Sequence, residues 1–188
     1  MRNTMIAGAV ALVVSVAPAF ARVEKPNTTP TLTTDQAFVT DAARADMAEV
    51  AIGKLAEARA SNHQVKAFAK QMVNDHQQAL HNLTTVASEE KVPLPTVLDP
   101  RHRAIEEQLG ILPNRAFDRV YMNMMINDNR QDLAEFRTES QDAKAADVRQ
   151  YASSRLPMLE AHVKLAQTTD NAVIGAADTS TAKKPVAY

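Results

Sequence analysis

The sequence predicts an all-α fold, a four-helix bundle made of two αα-hairpins, and three observations carry that expectation. Glycine is scarce, at 4 residues in 188, and no stretch alternates β-branched and polar residues as a half-buried strand does. Apolar residues recur instead at helical spacing in four long segments. The second pair of segments also echoes the first. A helix with one wide apolar stripe must bury it against other helices, so a bundle is the expected outcome.

Residues 1–21 read as a cleavable signal peptide. Arg2 supplies the positive charge, Met5–Val16 is an uncharged and mostly apolar run, and Ala19-Phe20-Ala21 is a small-x-small cleavage site. The run is too short to remain as a membrane span. No later segment is long and apolar enough to span, and no cysteine follows the run to take a lipid. The mature chain is therefore expected to be periplasmic or secreted. Residues 22–34 are rich in Pro and Thr and read as a flexible linker.

The bundle domain is expected over 35–169. Its first helix starts after Thr34, with Asp35 in the first turn, and runs to about Ala60. Its apolar sector holds Phe38, Ala42, Ala45, Ala48, Ile52, Leu55 and Ala56, and Glu49 falls inside it. Gly53 is mid-helix, where glycine costs ~1 kcal/mol relative to alanine, which suggests a close approach of another helix. Ser61-Asn62 caps the second helix, which runs to about Glu89. Its stripe is Val65, Phe68, Ala69, Met72, Val73, Ala79, Leu80 and Leu83, and His76 lies in it.

Lys91–Pro100 carries three prolines and reads as an extended connector. Asp99-Pro100 is the N-cap and first residue of a short helix ending at Gly110. The third long helix opens at Pro113-Asn114 and runs to about Ser140, with Phe117, Tyr121, Met122, Met125, Ile126, Leu133 and Phe136 on its stripe. The fourth runs from about Ala145 to Thr169, with Pro157 inside it, which should kink it. Residues 170–188 are small, polar and aperiodic, and are expected to be a disordered tail.

The internal repeat sets the pairing. Ala37-Phe38 opens the first helix and Ala116-Phe117 the third, with Glu49 and Asp128 equally far beyond them. Val65-Lys66-x-Phe68-Ala69 parallels Val148-Arg149-x-Tyr151-Ala152. Two hairpins joined by a longer connector are the pattern of ferritin-like bundles.

Composition narrows the function classes. Lys plus Arg is 21 against 22 for Asp plus Glu, so no basic patch for nucleic acid is expected. Aromatic residues are 4%, with no Trp to build a stacking platform, and the absence of cysteine leaves stability to packing. There is no Gly-rich phosphate loop, no Gly-x-Ser-x-Gly elbow and no thiol nucleophile.

The candidate site is a polar layer inside the bundle. Each long helix places one polar residue on its inner stripe: Glu49, His76, Asn129 and His162. At ~1.5 Å rise per residue, all four fall within roughly 10 Å along the axis if the second and third long helices run parallel. Asp118 and Tyr121 are added to this inner layer. Carboxylate and imidazole converging in a bundle core can hold a metal, and Glu49, His76 and His162 are the candidate ligands. A Glu-x-x-His pair, the mark of a di-iron bundle, is absent, so the candidates are a mononuclear Zn, Cu or Fe site. The methionines add soft ligands or core filler. The competing reading of His76 and His162 is a pair of hydrogen-bonded core histidines, held by Glu49 or Tyr121. Asp75 lies about 100° around the helix from His76 and is no partner for it. His63, His81 and His102 read as surface residues.

Several of these stretches together resemble an exported ferritin-like family of unknown function, whose members are often labelled predicted outer-membrane proteins. The resemblance covers about Phe38 to Ala166. It rests on Met47 to Ala56 (MAEVAIGKLA), Val65 to Ala69 (VKAFA), Met72 to His76 (MVNDH), Leu94-Pro95, Phe117-Asp118-x-x-Tyr121-Met122 and Leu156-Pro157-x-Leu159-x-x-His162. The family pattern has His where this chain has Asn129. The resemblance implies export and a four-helix ferritin-like fold, and no activity. The expectation is thus an exported cell-envelope protein with a non-enzymatic structural or stress-related role. The alternative is a metal-binding or redox protein using the Glu/His layer. No nucleic-acid partner is expected, and the partners left open are a second copy of the chain or another envelope component.

Overall fold

The computed structural model describes residues 32–181, with side chains described through Val173. The expected signal peptide, most of the expected linker and residues 182–188 lie outside the described residues. The chain is all-helical there: α1 Thr34–Arg59, α2 His63–Glu89, α3 Pro100–Gly110, α4 Asn114–Asp142 and α5 Ala146–Thr181. No described helix is long and apolar enough to cross a membrane.

The helix starts follow local chemistry. Thr33 and Gln36 form a reciprocal capping box at the head of α1. The Asn62 side chain accepts from the Gln64 amide at the head of α2. Asp99 accepts from the amides of Arg101 and His102 at the head of α3, with Pro100 in its first turn. α5 continues through Pro157 and past Thr169, the boundary drawn from sequence, to Thr181. The polar composition that suggested a tail there is compatible with a further helical stretch once α5 is nucleated by packing.

α1 packs along α2, and α4 along α5, as two hairpins. α2 lies beside α5, and α3 runs over the gap where α1 and α4 meet only sparsely. Two carboxylates reveal the helix directions. Asp118, near the head of α4, accepts from the Ser61 and Asn62 amides at the head of α2, both at 2.9 Å, and from the Ser61 hydroxyl. Asp35, in the first turn of α1, accepts from the Lys144 and Ala145 amides just ahead of α5. The heads of α2 and α4 therefore share one end of the bundle, and those of α1 and α5 the other. Each of these two pairs is parallel, and neighbouring helices are antiparallel. This is the ferritin-like crossover arrangement, in which the connector carrying α3 returns the chain along the bundle before α4 begins.

The core has two parts. One holds Phe38, Val39, Leu83, Phe136, Val148, Tyr151 and Leu159. The other holds Ile52, Val65, Phe68, Met72, Phe117, Tyr121, Met122 and Met125. Aromatic edges join helices within each, with Phe38 against Phe136 at 5.0 Å and Phe68 against Tyr121 at 6.1 Å between ring centres. Gly53 lets α1 approach α2: a Cβ there would sit 2.7 Å from Val73 Cγ2 and 3.4 Å from the Ala69 carbonyl oxygen.

Candidate functional site

His76 on α2 and His162 on α5 meet in the interior, each 1% exposed, with ring centres 5.4 Å apart. A buried imidazole needs an oriented partner, and each has a carboxylate. His76 Nδ1 donates to Asp46 Oδ1 on α1 at 2.7 Å. His162 Nε2 donates to Asp75 Oδ2 on α2 at 2.8 Å. Since carboxylates only accept, these bonds place a proton on His76 Nδ1 and on His162 Nε2. The remaining ring nitrogens, His76 Nε2 and His162 Nδ1, have no protein partner.

Asp46 does more than orient His76. The same oxygen accepts from Arg155 Nη2 on α5 at 3.0 Å, and the Arg155 guanidinium lies 5.7 Å over the Phe136 ring. Both charged groups are buried, Asp46 at 4% and Arg155 at 6% exposed. A buried guanidinium requires a compensating carboxylate, so the pair ties α1 to α5 while His76 brings in α2. Burial, opposed by the hydrogen bond that His162 donates to Asp75, lowers the His162 pKa to about 4, and its ring is neutral at pH 7.

Glu49 lies one helical turn beyond Asp46. It is 4% exposed, and neither carboxylate oxygen has a hydrogen-bond partner. Burial first, then the charges of Asp132, Asp128 and Asp46, push its pKa well above the ordinary range. Burial raises Asp132 to about 7 and also raises Asp128. Tyr121 is fully buried with an unpaired hydroxyl, and burial followed by the Glu49 charge keeps it un-ionised. Asn129 donates to the Met125 carbonyl one turn back, leaving its own oxygen unpaired.

Five of the six residues expected in the polar layer thus lie buried within the bundle, but they form separate groups. His76 and His162 make one. Glu49 belongs with the acidic side chains of α4 and with Tyr121. Among the described residues no three His, Cys, Asp or Glu side chains are grouped so as to hold a metal ion, and the Glu49 carboxylate makes no hydrogen bond to either ring. Asp118 leaves the layer altogether: it is buried at the bundle end, bound to the head of α2. The expected holders of the histidines, Glu49 and Tyr121, are replaced by Asp46 and Asp75. Asp75 faces the neighbouring helix, which is how a residue about 100° from His76 comes to serve His162 instead.

Asp46, Arg155 and Asp132 were not singled out from sequence, and Asp128 was noted only as the repeat counterpart of Glu49. Asp46-x-x-Glu49 and Asp128-x-x-x-Asp132-x-x-Glu135 each put carboxylates on one helix face, a signal readable from spacing. The union of Asp46 with Arg155, 109 residues apart, has no local signal.

Asp128, Asp132 and Glu135 face α1 across a cavity of about 560 Å³ between α1, α3 and α4. Glu49 and Ile52 line it from α1, Ile105 from α3, and Met124 and Met125 from α4.

A family model described as a domain of unknown function (DUF4142) matches residues 21–169. Among solved structures, the chain is similar to a DUF305 fragment from Deinococcus radiodurans. The two share 14% identity with a TM-score of 0.61, over 77% of this chain and 98% of that one. At that identity the likeness is one of fold. No curated protein matches the chain.

Proposed function

The chain belongs to the DUF4142 family, a domain of unknown function, and from that premise we propose that it is an exported cell-envelope protein with a non-enzymatic, structural or stress-related role. One observation carries the non-enzymatic reading. The interior imidazoles are held by carboxylates in a way that joins helices, with Asp46 linking His76 to Arg155 and Asp75 linking α2 to α5. Among the described residues neither ring is hydrogen-bonded to a hydroxyl or thiol, as general-base work would require. Export is supported by the charged, then apolar, then small-residue order of residues 1–21. Outer-membrane association belongs to the same reading.

The test has two arms. Fractionation of cells expressing the protein, with and without residues 1–21, should place it in the envelope only when those residues are present. Replacing both His76 and His162 with Ala should lower the melting temperature by the same amount with and without added Zn, Cu or Fe. Equal distribution in the cytoplasm would sink the export reading, and a metal-dependent melting shift lost on substitution would sink the structural one.

The second reading is a metal-binding or redox protein. It is favoured by the two unpartnered ring nitrogens on adjacent imidazoles tilted 40° to each other, a donor pair suited to a soft ion such as Cu(I) that accepts few ligands. Metal content well below one equivalent after reconstitution of untagged protein removes it.

A further inference from the structure

Met72-x-x-x-His76 on α2 and Met158-x-x-x-His162 on α5 repeat one spacing. Residues four apart share a helix face, and helical side chains lean toward the preceding turn, so each interior imidazole leans over a thioether. The two sulfurs are not equivalent. Met158 Sδ takes a contact from Arg155 Nη1 at 3.5 Å. Met72 is fully buried in the core beside His76.

The rings themselves are held as metal-binding imidazoles are. A ligating histidine donates its other N–H to a carboxylate, which fixes the tautomer and orients the free lone pair. His76 does this to Asp46 and His162 to Asp75. Both rings are more than nine-tenths buried, and His76 Nε2 and His162 Nδ1 are left without a protein partner. A buried acceptor without a donor costs free energy that a bound ion recovers. With metal–nitrogen bonds of ~2 Å, one ion between two imidazoles sets their centres roughly 6 Å apart. The centres here are 5.4 Å apart. Asp75 is 33% exposed, so the pair stands one side chain from solvent.

The surroundings select the charge of the ion. Asp46 and Arg155 neutralise each other. Imidazoles that bind metal do so uncharged. That leaves the one negative charge of Asp75, which only His162 engages among the described residues. A single positive charge balances it, whereas a divalent ion would leave net charge in the interior. Donor number points the same way. Among the described residues no three His, Cys, Asp or Glu side chains are grouped to hold an ion, and Zn2+ takes four donors.

We propose that His76 Nε2 and His162 Nδ1 bind one soft monovalent cation, Cu(I) or Ag(I), with the Met72 thioether as the neighbouring soft donor. Asp46 and Asp75 are positioning residues that orient the two rings. The proposal rests on the metal-binding reading above and narrows it: it assigns the nitrogen of each ring, leaves Glu49 out of the ligand set and fixes the charge of the ion.

The experiment titrates the purified, untagged full chain with Ag(I) and, separately, with Zn2+, read by the imidazole nitrogen resonances of 15N-labelled protein. Ag(I) is expected to bind one equivalent and to shift His76 Nε2 and His162 Nδ1, while the protons on His76 Nδ1 and His162 Nε2 stay in place. Cu(I), supplied anaerobically from a competing chelator, should displace Ag(I) from the same nitrogens. Asp75→Ala spares both ligands and should weaken Ag(I) by about 10–100-fold. Met72→Leu, which nearly conserves volume, should weaken it by a smaller factor. Met47→Leu, on the outer side of α1, should leave it unchanged. Far-UV circular dichroism establishes that each variant keeps its helix content. No saturable Ag(I) binding, or shifts confined to His63, His81 and His102, would overturn both this inference and the metal-binding reading. Zn2+ bound at the pair as tightly as Ag(I), or an unaltered Ag(I) affinity in Asp75→Ala, would overturn this inference alone.

Discussion

Asp46→Ala tests the claim that one carboxylate organises the bundle interior. In the native chain Asp46 Oδ1 accepts from both His76 and Arg155, and all three side chains are almost fully excluded from solvent. Deleting it leaves a buried guanidinium without its counter-charge, a change worth about 3–5 kcal/mol. The His76 Nδ1–H also loses its acceptor. Against a total stability of about 5–15 kcal/mol, this is a large fraction. At roughly 2–4 °C per kcal/mol for a chain of this size, the melting temperature should fall by about 6–20 °C. Chemical denaturation at pH 7 gives the free energy directly. The double variant Asp46→Ala with Arg155→Met distinguishes a charge effect from lost packing. Removing the orphaned charge should make the double variant more stable than Asp46→Ala alone by at least about 1 kcal/mol, although more native side chain is gone. An Asp46→Ala cost below about 1 kcal/mol, or full additivity in the cycle, refutes the argument.

Three further outcomes follow from other parts of the bundle. The His162 ring is neutral in the fold with a pKa of about 4, whereas the unfolded chain takes up the proton near 6.5, so folding stability is intact above 6.5 and is lost as pH falls toward 4. Denaturation of wild type and His162→Gln at pH 7 and pH 4 should show the wild-type advantage shrinking by about 3 kcal/mol, and a constant difference would contradict the burial argument. Gly53→Ala gains about 1 kcal/mol of helix propensity but drives its methyl into Val73, a β-branched side chain with little freedom to move. With overpacking costing about 1–3 kcal/mol, the single change should destabilise, whereas in a Val73→Ala background the same change should stabilise; urea titrations give both signs. Asp118→Ala strips three donors at the head of α2 of their acceptor. It should cost about 2 kcal/mol and speed amide exchange in the first turn of α2, and unchanged exchange there would mean that the cap is dispensable.

The sequence by itself determined the helices and their inner faces. Periodicity and capping residues are local, so Asn62 and Asp99 each start a helix where the chain shows them, Thr33 caps α1 one residue ahead of the expected Thr34, and the stripes through Phe38, Phe68, Phe117 and Leu159 face inward as their spacing requires. Burial of Glu49, His76, Asn129 and His162 was legible for the same reason, because a polar residue inside an apolar stripe goes where the stripe goes. Partners were not legible. Whether His76 binds Glu49 or Asp46, and whether Asp118 stands at mid-height or at the end of the bundle, depends on helix rotation and relative height, which residues far apart in the chain decide together. Only the tertiary structure separated the histidine pair from the acidic groove. α1 carries Asp46 and Glu49 three residues apart, about 60° around the helix axis, and packing gives the first a guanidinium and leaves the second alone with other carboxylates.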